Sequence, residues 1–585
     1  MNKRNFFYLL LLLFASYVLV PGTVIAQAKD KPNIVLILVD DSGLMDFGTF
    51  GGEAKTPHID RLARQGTMLT NFHASPVCAP SRAMLVTGID SHLTGVANLP
   101  EMLPSSYENQ PGYQGVLNNR VQTVATRLKE VGYRTYVSGK WHLGHDKNTL
   151  PPARGFDRSF ILAGSGASNY QTKGYLPFKM KAQWFADGKE TSLPDNFYSS
   201  KDYIQKTIAF HETEENKNSP FFSYIAFQAL QAPQKFVKPY LEVYQEGWDV
   251  LRQKRFAKAK AMGIIPATAS MNDMFPQFQK WEELSPAEKE QYTNDMAVLA
   301  GMLEAMDHYI GQYIKYLQEK GLYQNTIFII ASDNGPDGGN YNVSLMQAWR
   351  KSQGYHRDKS RIGEKGYFGA IGPEFAYALA SPFSFFKYYA GEGGVRTPLI
   401  ISGKNIPGGQ QSNEFCFITD VVPTILELAG MEAKSNKLYT QITGKSLLPH
   451  LKNLSVPVYQ EDEGVGMEAA NSASYYQGDF KIVKNNIPLG DNKWYMYNLR
   501  KDPGETKDIS KMYPEKFTTM ITSYTTYAKA VGVIAMEEGY SAEKEVGKKS
   551  VKKVLLNLSM YPLGFFVFVI AMIGYWKKRK SIASV

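Results

Sequence analysis

Two short apolar runs, far apart in the chain, each lead into polar residues that carry side-chain oxygen atoms. The runs cover Ile34–Val39 and Thr326–Ala331. The chemically notable residues that follow them are Asp40, Asp41, Asp333 and Asn334. Uninterrupted apolar runs of this length are typical of strands buried on both faces of a parallel sheet. Because ligands bind at the carboxyl ends of such strands, we expect these four residues to meet in one crevice.

Between the two runs the chain alternates helical and strand patterns. The predicted elements are a helix at Val121–Glu130, strands at Tyr133–Val137 and Phe221–Phe227, and a helix at Met296–Glu319. Tyr240–Gly263 is charged and helix-prone, which favours a surface insertion that covers the crevice. Gly338–Pro382 is rich in Gly, Tyr and Phe without clear periodicity, which indicates a long loop near the substrate. The pattern predicts an α/β fold with a large mixed, mostly parallel sheet sandwiched by helices.

Beyond Ser455 the pattern changes to short alternating stretches at Tyr475–Lys484 and Lys493–Leu499, which predict a smaller C-terminal antiparallel-sheet subdomain. We expect the following segments along the chain: a signal peptide at 1–28, a catalytic domain at 29–454, a C-terminal α+β subdomain at 455–546, a basic linker at 547–553, a transmembrane helix at 554–576 and a cytoplasmic tail at 577–585.

Both ends of the chain carry patterns of an exported, membrane-anchored protein. Lys3 and Arg4 precede an apolar run from Phe6 to Val20, and the small residues near Ala26 suit signal cleavage. An uncleaved anchor is the alternative. Val554–Trp576 has no charged side chain and would form a helix about 35 Å long, enough to span a bilayer. The catalytic body should then face the periplasm or the cell exterior, although a processed sorting tail would show the same layout.

Composition narrows the choice of partners. The chain has 585 residues, is 44% hydrophobic and carries a formal net charge of +10. Ten cationic residues at the two ends account for that charge, so we expect a membrane partner through the C-terminal helix and no nucleic acid.

Cys78 and Cys416 are the only cysteines, which excludes a disulfide framework. Cys416 lies in an apolar run and is interpreted as a packed core residue.

Cys78 opens a phrase with a chemical pattern of its own. Pro80 pre-sets the backbone for a first helical turn, so Cys78 should lie at a helix N-terminus, where backbone N–H groups attract anions. Arg82, one turn later, adds a planar cation. A lone cysteine is otherwise more often a buried structural residue, and the surrounding residues decide between the two interpretations.

The phrase Cys-x-Pro-Ser-Arg-x-x-Leu-x-Thr-Gly resembles the signature of the type I sulfatases, which belong to the alkaline-phosphatase-like superfamily. The residues that fill it are Cys78, Pro80, Ser81, Arg82, Leu85, Thr87 and Gly88. The Gly-Lys-Trp-His-Leu-Gly phrase that contains Lys140 and His142 is similar to a second phrase of the family. Lys387, ahead of Gly-Glu-Gly-Gly-Val-Arg-Thr-Pro, matches a third. The resemblance spans roughly residues 32 to 510 and is to bacterial arylsulfatases.

This resemblance implies hydrolysis of sulfate esters of small molecules or glycans. A formylglycine-generating enzyme would oxidise Cys78 to formylglycine, whose hydrated aldehyde is the family's nucleophile. Lys140 and Lys387 would hold the sulfate, Arg82 would orient the nucleophile, and His142 would act as the base. The resemblance also implies one Ca²⁺ ion per chain, for which the matching ligands are Asp40, Asp41, Cys78, Asp333 and Asn334.

One departure from the family pattern concerns the proton donor for the departing alcohol. The family usually carries a histidine and then a proline ahead of Leu-Gln-Ala-Pro, whereas here Ala229 precedes Leu230-Gln231-Ala232-Pro233 directly. His211 lies in an upstream helical stretch and does not match that position. Two alternatives therefore remain open: a phosphonate monoester or phosphodiester hydrolase with the same modified cysteine, and a sulfate-ester binding protein with impaired turnover.

Overall fold

The computed structural model describes residues 31–107, 110–175, 181–213, 219–228, 231–339, 344–434, 437–537 and 539–559. Its strands are β1 (Asn33–Val39), β2 (Gly66–His73), β3 (Arg134–Lys140), β4 (Arg158–Leu162), β5 (Trp184–Ala186), β6 (Lys189–Glu190), β7 (Phe221–Ala226), β8 (Thr326–Ser332), β9 (Arg396–Gly403), β10 (Gln410–Ser412), β11 (Cys416–Phe417), β12 (Gly464–Ala469), β13 (Ser472–Gln477), β14 (Phe480–Lys484) and β15 (Trp494–Asn498).

The α-helices of the described residues are α1 (Pro57–Arg64), α2 (Cys78–Thr87), α3 (Ser91–Thr94), α4 (Val124–Glu130), α5 (Ser199–Thr213), α6 (Gln234–Val237), α7 (Gly247–Ala261), α8 (Pro286–Glu319), α9 (Ser344–Ser352), α10 (Gly372–Ala380), α11 (Glu392–Val395), α12 (Val421–Leu428), α13 (Leu448–Lys452), α14 (Pro514–Val531) and α15 (Ala542–Ser559).

The large sheet has the strand order β10-β2-β9-β8-β1-β7-β3-β4-β5-β6, with β11 also paired to β2. Its centre, β8-β1-β7-β3-β4, is parallel throughout, while β9, β5 and β6 run antiparallel to their neighbours. Leu38 of β1 pairs with Ala226 of β7 and with Ala331 of β8, so the carboxyl ends of the three strands lie level. The predicted mixed, mostly parallel sheet is confirmed.

Each face of this sheet is covered by helices, which explains the uninterrupted apolar runs. On β1, Val35 and Ile37 pack into a core with residues of α5 and α8. Leu36 and Leu38 point to the other face and pack with residues of α2, α4 and α12. Successive side chains of a strand alternate between faces, and here both faces are buried.

A separate antiparallel sheet with the order β12-β13-β14-β15 follows the large one, as the sequence predicts for the C-terminal part. The predicted strand at Tyr475–Lys484 is two strands, because Gly478 adopts φ 56° and turns the chain between β13 and β14. The sequence pattern also missed β12. Helix α14 packs on this sheet through the buried Met520.

Helix α8 begins at Pro286, ten residues before the predicted start at Met296. The start is set by a capping box: the hydroxyl of Ser285 accepts a hydrogen bond from the N–H of Glu288, and the Glu288 carboxylate accepts one from the N–H of Ser285. The polar first turns hide this start from a search for apolar periodicity.

Of two predictions for the middle of the chain, one holds in part and one is wrong. Tyr240–Gly263 contains the helix α7, as its helix-prone sequence indicates, but α7 is only partly at the surface: Trp248 and Arg255 are almost fully buried in the body, whereas Lys254 and Lys258 are exposed. Gly338–Pro382 is not one long loop, because it contains α9 and α10. Helix α10 is buried on nearly every side, so its sequence lacks the polar face on which helical periodicity depends.

The two predicted export signals lie largely beyond the part of the chain that the structure describes. The predicted signal peptide at 1–28 is wholly outside the described residues, and the predicted membrane segment at 554–576 is outside them from residue 560 onward. Among the described residues, no helix has both the length and the apolar character that crossing a bilayer requires.

A buried histidine links helix α3 to strand β12 of the C-terminal sheet. Nδ1 of His92 lies 3.2 Å from Asp90 Oδ1, and its Nε2 lies 3.0 Å from Glu468 Oε2 in β12. Burial alone would lower the pKa of His92, but the hydrogen bonds to both carboxylates outweigh burial and raise this pKa to about 9. His92 is therefore an imidazolium that bridges two carboxylates.

We predict that this bridge makes the stability of the fold depend on pH. A pKa near 9 in the folded state exceeds the value of about 6.5 in the unfolded state, so the stabilisation is complete below about pH 6.5 and is lost as the pH rises through 9. The melting temperature of the native protein should fall over that interval, and the His92→Gln variant should show a smaller fall. Equal slopes for the two proteins would contradict the prediction.

Candidate active site

The polar residues that follow β1 and β8 meet at the carboxyl edge of the large sheet. The N–H of Asp41 donates to Asp333 Oδ1 at 3.2 Å, and the Asn334 amide donates to Asp41 Oδ1 at 2.7 Å. Carboxylate oxygens of Asp40, Asp41 and Asp333 all lie within 4.8 Å of one another. The level ends of the two neighbouring strands bring these side chains together, as the sequence predicts.

Arg82 ties this acidic cluster to helix α2. Its Nε donates to Asp333 Oδ2 at 2.9 Å and its Nη2 to Asp40 Oδ1 at 3.0 Å. Its Nη1 donates to the carbonyl oxygen of Lys140 at 2.9 Å, and the side chain is fully buried. The planar guanidinium reaches two carboxylates and a carbonyl oxygen through three different nitrogen atoms, a span that the single nitrogen of a lysine could not provide.

Helix α2 begins at Cys78, where the proline signal predicts a helix start. Cys78 Sγ lies 3.4 Å from Nδ1 of His142. Ser81 fixes the preceding loop, because its hydroxyl accepts from the N–H of Ser75 and donates to the Ser75 carbonyl oxygen. Burial raises the pKa of the Cys78 thiol to about 11, so an unmodified Cys78 is a protonated and weak nucleophile at neutral pH.

Two buried lysines bind different carboxylates of the cluster. Lys140, at the end of β3, donates through Nζ to Asp40 Oδ1 at 2.6 Å. Lys387 donates to Asp41 Oδ1 at 2.6 Å and to Asp337 Oδ2 at 2.9 Å. The two ammonium groups therefore border the edge of the sheet where Cys78 lies, and they supply positive charge to any anion held there.

The neighbouring charges decide the ionisation of the cluster. Burial alone would raise the pKa of Asp40, but Lys140 and Arg82 outweigh it and hold this pKa well below its usual range. Burial raises the pKa of Asp41 to about 7, although Lys387 opposes that rise. Burial alone would lower the pKa of Lys140, and Asp40 brings it above the usual value instead. Asp40 and Lys140 are thus a charged pair.

The donor set fits a divalent cation. Oδ1 of Asn334 is buried and accepts no hydrogen bond from any of the described residues, so this oxygen is available beside the carboxylates. Four carboxylates face three cationic side chains, so the fully ionised cluster carries one negative charge, which a divalent ion would turn into one positive charge suited to an anionic ester. The charged groups are Asp40, Asp41, Asp333, Asp337, Arg82, Lys140 and Lys387.

Two residues of the site hold a backbone conformation that is unfavourable for their type. Asp41 has φ 61° and His142 has φ 60°, both in the left-handed region. Such conformations cost free energy and persist only where the surroundings impose them, which is common at functional sites. Asp41 is bound through its N–H by Asp333, so part of that restraint is visible in the site itself.

All nine residues that the sequence nominates lie in or beside this one cluster, and Asp337 is an addition that sequence reasoning missed. Asp337 follows Asn334 by three residues, so the same strand-end signal could have found it. His211 is elsewhere: it bonds to the Tyr313 hydroxyl at 2.8 Å and packs against Phe221, at the opposite end of β7. Ala229 and Leu230, where the family histidine is absent, lie outside the described residues.

A comparison with known families identifies the family to which the chain belongs. The family model described as Sulfatase matches residues 32–431, which is more than half of the chain. The chain belongs to the sulfatase family. This confirms the resemblance that the cysteine phrase indicates, and the protein is a sulfuric ester hydrolase with the alkaline-phosphatase-like fold.

Individual relatives agree with this assignment. The sulfatase is 31% identical to an arylsulfatase of Klebsiella aerogenes over 472 residues, which cover 79% of this chain and 96% of that protein. It is 32% identical over 541 residues to an uncharacterised sulfatase of Schizosaccharomyces pombe, covering 88% and 97% of the two chains. Both alignments extend over nearly the whole relative.

Solved structures support the fold. The crystal structure of Ps i-CgsB in complex with k-i-k-neocarrahexaose has a TM-score of 0.61 and 22% identity, and the match covers 89% of this sulfatase and 98% of that chain. A protein solved in complex with its substrate D-glucosamine-2-N,6-O-disulfate has a TM-score of 0.56 and 21% identity, with coverage of 86% and 98%. At these identities the similarity establishes the fold alone.

We predict that Asn334 contributes to divalent-cation binding. Ca²⁺ added to metal-stripped sulfatase should raise the melting temperature, because an ion that binds the folded state stabilises it. Asn334→Ala should reduce this rise. Asn33→Ala is the matched control, since Asn33 is buried at the opposite end of β1. It should lower the melting temperature with and without Ca²⁺ and preserve the rise. An equal rise in Asn334→Ala and the native protein would contradict the prediction.

Proposed function

We propose that this sulfatase cleaves sulfate esters with residue 78 as the nucleophile. Cys78 would first be oxidised to formylglycine, and a bound Ca²⁺ ion would lie next to it. The observation that supports this most directly is the position of Cys78. It starts a helix at the carboxyl edge of the sheet, it faces His142, and Arg82 of the same helix binds the acidic cluster. A protonated thiol is a poor nucleophile there, which favours a chemically modified residue.

The metal ligands in this proposal are Asp40, Asp41, Asp333, Asn334 and the modified residue 78. Their oxygen atoms suit Ca²⁺, which accepts six to eight hard ligands in flexible geometry. When bound, the ion would polarise a sulfate oxygen and favour the deprotonated nucleophile.

The other side chains divide the remaining tasks. Lys140 and Lys387 would bind sulfate oxygens from two sides and stabilise the charge that moves onto them in the transition state. Arg82 would hold residue 78 and the carboxylates in fixed positions relative to each other. His142, within 3.4 Å of Cys78 Sγ, is placed to take a proton from the group at position 78.

The leaving group is where this sulfatase departs from its family. The histidine that usually protonates the departing alcohol has no counterpart before Leu230-Gln231-Ala232-Pro233, and His211 is too far away to replace it. Phenols leave without protonation far more readily than alkyl or sugar alcohols. We therefore infer an arylsulfatase-type preference, in line with the arylsulfatase relative, although two structural neighbours were solved with k-i-k-neocarrahexaose and with D-glucosamine-2-N,6-O-disulfate.

The proposed location is outside the cytoplasm, since the sequence carries an apolar run after Lys3 and Arg4 and a charge-free stretch at 554–576. We propose that the stretch at 554–576 anchors the catalytic body to the outer face of the membrane. A formylglycine-generating enzyme would then act on the chain as a partner before the fold closes over Cys78, which is buried in the folded protein.

We predict that the peptide containing residue 78 carries an aldehyde in protein from the native host, whereas the peptide with Cys416 keeps its thiol. Mass spectrometry of a digest measures both peptides. Cys78→Ala should abolish turnover, and Cys416→Ala should retain it because Cys416 is a buried residue of β11 that pairs with Phe72 of β2 and is not among the residues of the acidic cluster. An unmodified thiol at residue 78 in fully active enzyme would contradict the proposal.

We further predict that aryl sulfates are better substrates than matched alkyl sulfates. A positioned general acid is worth roughly 10²–10⁴ in rate, so its absence should lower kcat/KM for alkyl esters by a factor in that range. An aryl phosphodiester assayed in parallel distinguishes the alternatives. Faster cleavage of the diester would favour the phosphodiesterase function, and no release from either ester would favour a binding protein. Equal kcat/KM for aryl and alkyl sulfates would show that another group supplies the proton.

A further inference from the structure

Residues 385–392, here called the Lys387 loop, carry one of the two lysines of the site. Two of its residues hold left-handed backbone conformations, with φ 65° at Phe385 and φ 78° at Tyr388. Bulky residues rarely adopt this conformation, so the surroundings must hold the loop in place. The contacts that hold it also determine where the Lys387 ammonium lies.

The catalytic body supplies two of these contacts. The N–H of Lys387 donates to the carbonyl oxygen of Pro336 at 3.1 Å, next to the strand end that carries Asp333 and Asn334. The N–H of Tyr388 donates to the carbonyl oxygen of Pro76 at 2.8 Å, two residues before Cys78. The start of the loop is thereby tied to both the acidic cluster and the nucleophile.

The C-terminal sheet supplies contacts to the rest of the loop. The hydroxyl of Ser472 donates to the Tyr388 carbonyl oxygen at 3.0 Å, and Lys481 Nζ donates to the Ala390 carbonyl oxygen at 2.7 Å. Both side chains are fully buried. Together they fix the direction of two peptide groups, one and three residues beyond Lys387.

Two further side chains bind the end of the loop. The N–H of Gly391 donates to Asn485 Oδ1 at 3.1 Å, and the N–H of Glu392 donates to Glu505 Oε2 at 2.8 Å. Four backbone groups within five consecutive residues are thus bound by side chains of the C-terminal part. The C-terminal part of the chain therefore restrains the backbone of the loop at four points.

Lys481 lies at the centre of these contacts. Besides the Ala390 carbonyl it donates to Glu392 Oε1 at 2.8 Å and to Glu505 Oε1 at 2.7 Å, so each ammonium hydrogen has one acceptor. A buried ion pair is often no better for stability than apolar packing. What this arrangement supplies instead is a fixed direction for the loop, because the ammonium is itself oriented by two carboxylates.

We propose that the C-terminal sheet positions Lys387 for sulfate binding, with Lys481 as the principal positioning residue and Ser472, Asn485 and Glu505 as its partners. The inference rests on the role proposed above for Lys387. It adds that residues 85 to 118 positions further along the chain, which do not contact the sulfate, set the geometry of its binding site.

The test compares variants of the full-length enzyme, with KM for an aryl sulfate and the inhibition constant of inorganic sulfate as readouts. Both constants are independent of the fraction of protein that is folded and active, whereas kcat is not. Lys481→Met combined with Glu505→Gln removes one positive and one negative charge together and leaves an acceptor at residue 505. A displaced Lys387 should raise both constants about tenfold to a hundredfold, the effect expected for misplacing a binding group by about 1 Å.

Met496→Ala is the matched control. Met496 is fully buried in the same sheet and belongs to its apolar cluster, away from the Lys387 loop. Its truncation should lower the melting temperature while leaving KM and the sulfate inhibition constant unchanged. If Met496→Ala raises these constants as much as the Lys481 and Glu505 substitutions do, general loosening of the sheet explains the effect and the positioning proposal is overturned.

The Lys387→Ala variant tests the sulfate-binding role of Lys387 separately from the positioning role of the C-terminal sheet. If Lys387→Ala leaves both constants unchanged, the sulfate-binding role of Lys387 fails. If Lys387→Ala raises them and the Lys481 and Glu505 substitutions do not, that role stands and the positioning proposal fails. In the Lys387→Ala background the paired substitutions should have little further effect, because they act through a side chain that is no longer present. Additive effects would overturn the proposal.

A milder pair of variants covers the case in which the Lys481 substitution prevents folding. Asn485→Ala removes the acceptor for the Gly391 N–H, and Asn485→Asp keeps an oxygen in its place. We expect Asn485→Ala to raise KM and the sulfate inhibition constant, and Asn485→Asp to restore most of the difference. Equal values for the two variants and the native enzyme would count against the proposal.

Discussion

The structure of this sulfatase depends on the burial of several carboxylates at one edge of a parallel sheet. Removing an isolated carboxylate from water costs far more free energy than a single hydrogen bond returns. Arg82, Lys140 and Lys387 make the cluster possible, and each of them binds at least one carboxylate oxygen within 3.0 Å. The three cations come from α2, from the end of β3 and from a loop before β9. Closing the site therefore requires the correct assembly of the whole large domain.

This constraint explains why so much of the site could be predicted from the sequence. A fully buried parallel strand must end in polar residues, so the apolar runs before Asp40 and Asp333 are local signals of a shared edge. The start of α2 is also local, since Pro80 and the extended Val77 mark it. Lys140, His142 and Lys387 carry no comparable local signal. The resemblance to the family identifies them, because an isolated lysine in a sequence does not reveal whether it is buried.

The parts that could not be predicted depend on contacts between distant segments. Lys481 lies in the alternating pattern Phe480-Lys481-Ile482-Val483, in which a lysine normally faces water, yet it is completely buried here. Its partners Glu392 and Glu505 are separated from it by 89 and 24 residues. Helix α10 escaped detection for the opposite reason, since a helix buried on nearly all sides has no polar face. The periodicity of apolar and polar residues indicates which side chains face solvent. It does not indicate which distant segments of the chain contact each other.

The Lys387 loop contains a lysine that the family resemblance identifies, and it is bound by buried residues such as Lys481 that the sequence does not reveal. This combination matters for the chemistry. Under the proposal that no positioned acid serves the leaving group, more of the rate enhancement must come from stabilising charge on the sulfate. That stabilisation requires donors which are fixed before the substrate arrives, because reorganising them during the reaction would consume the gain. Lys140 is fixed by the strand that carries it and by Asp40. Lys387 belongs to a loop with strained backbone, and in our proposal the buried ion network around Lys481 holds that loop in place.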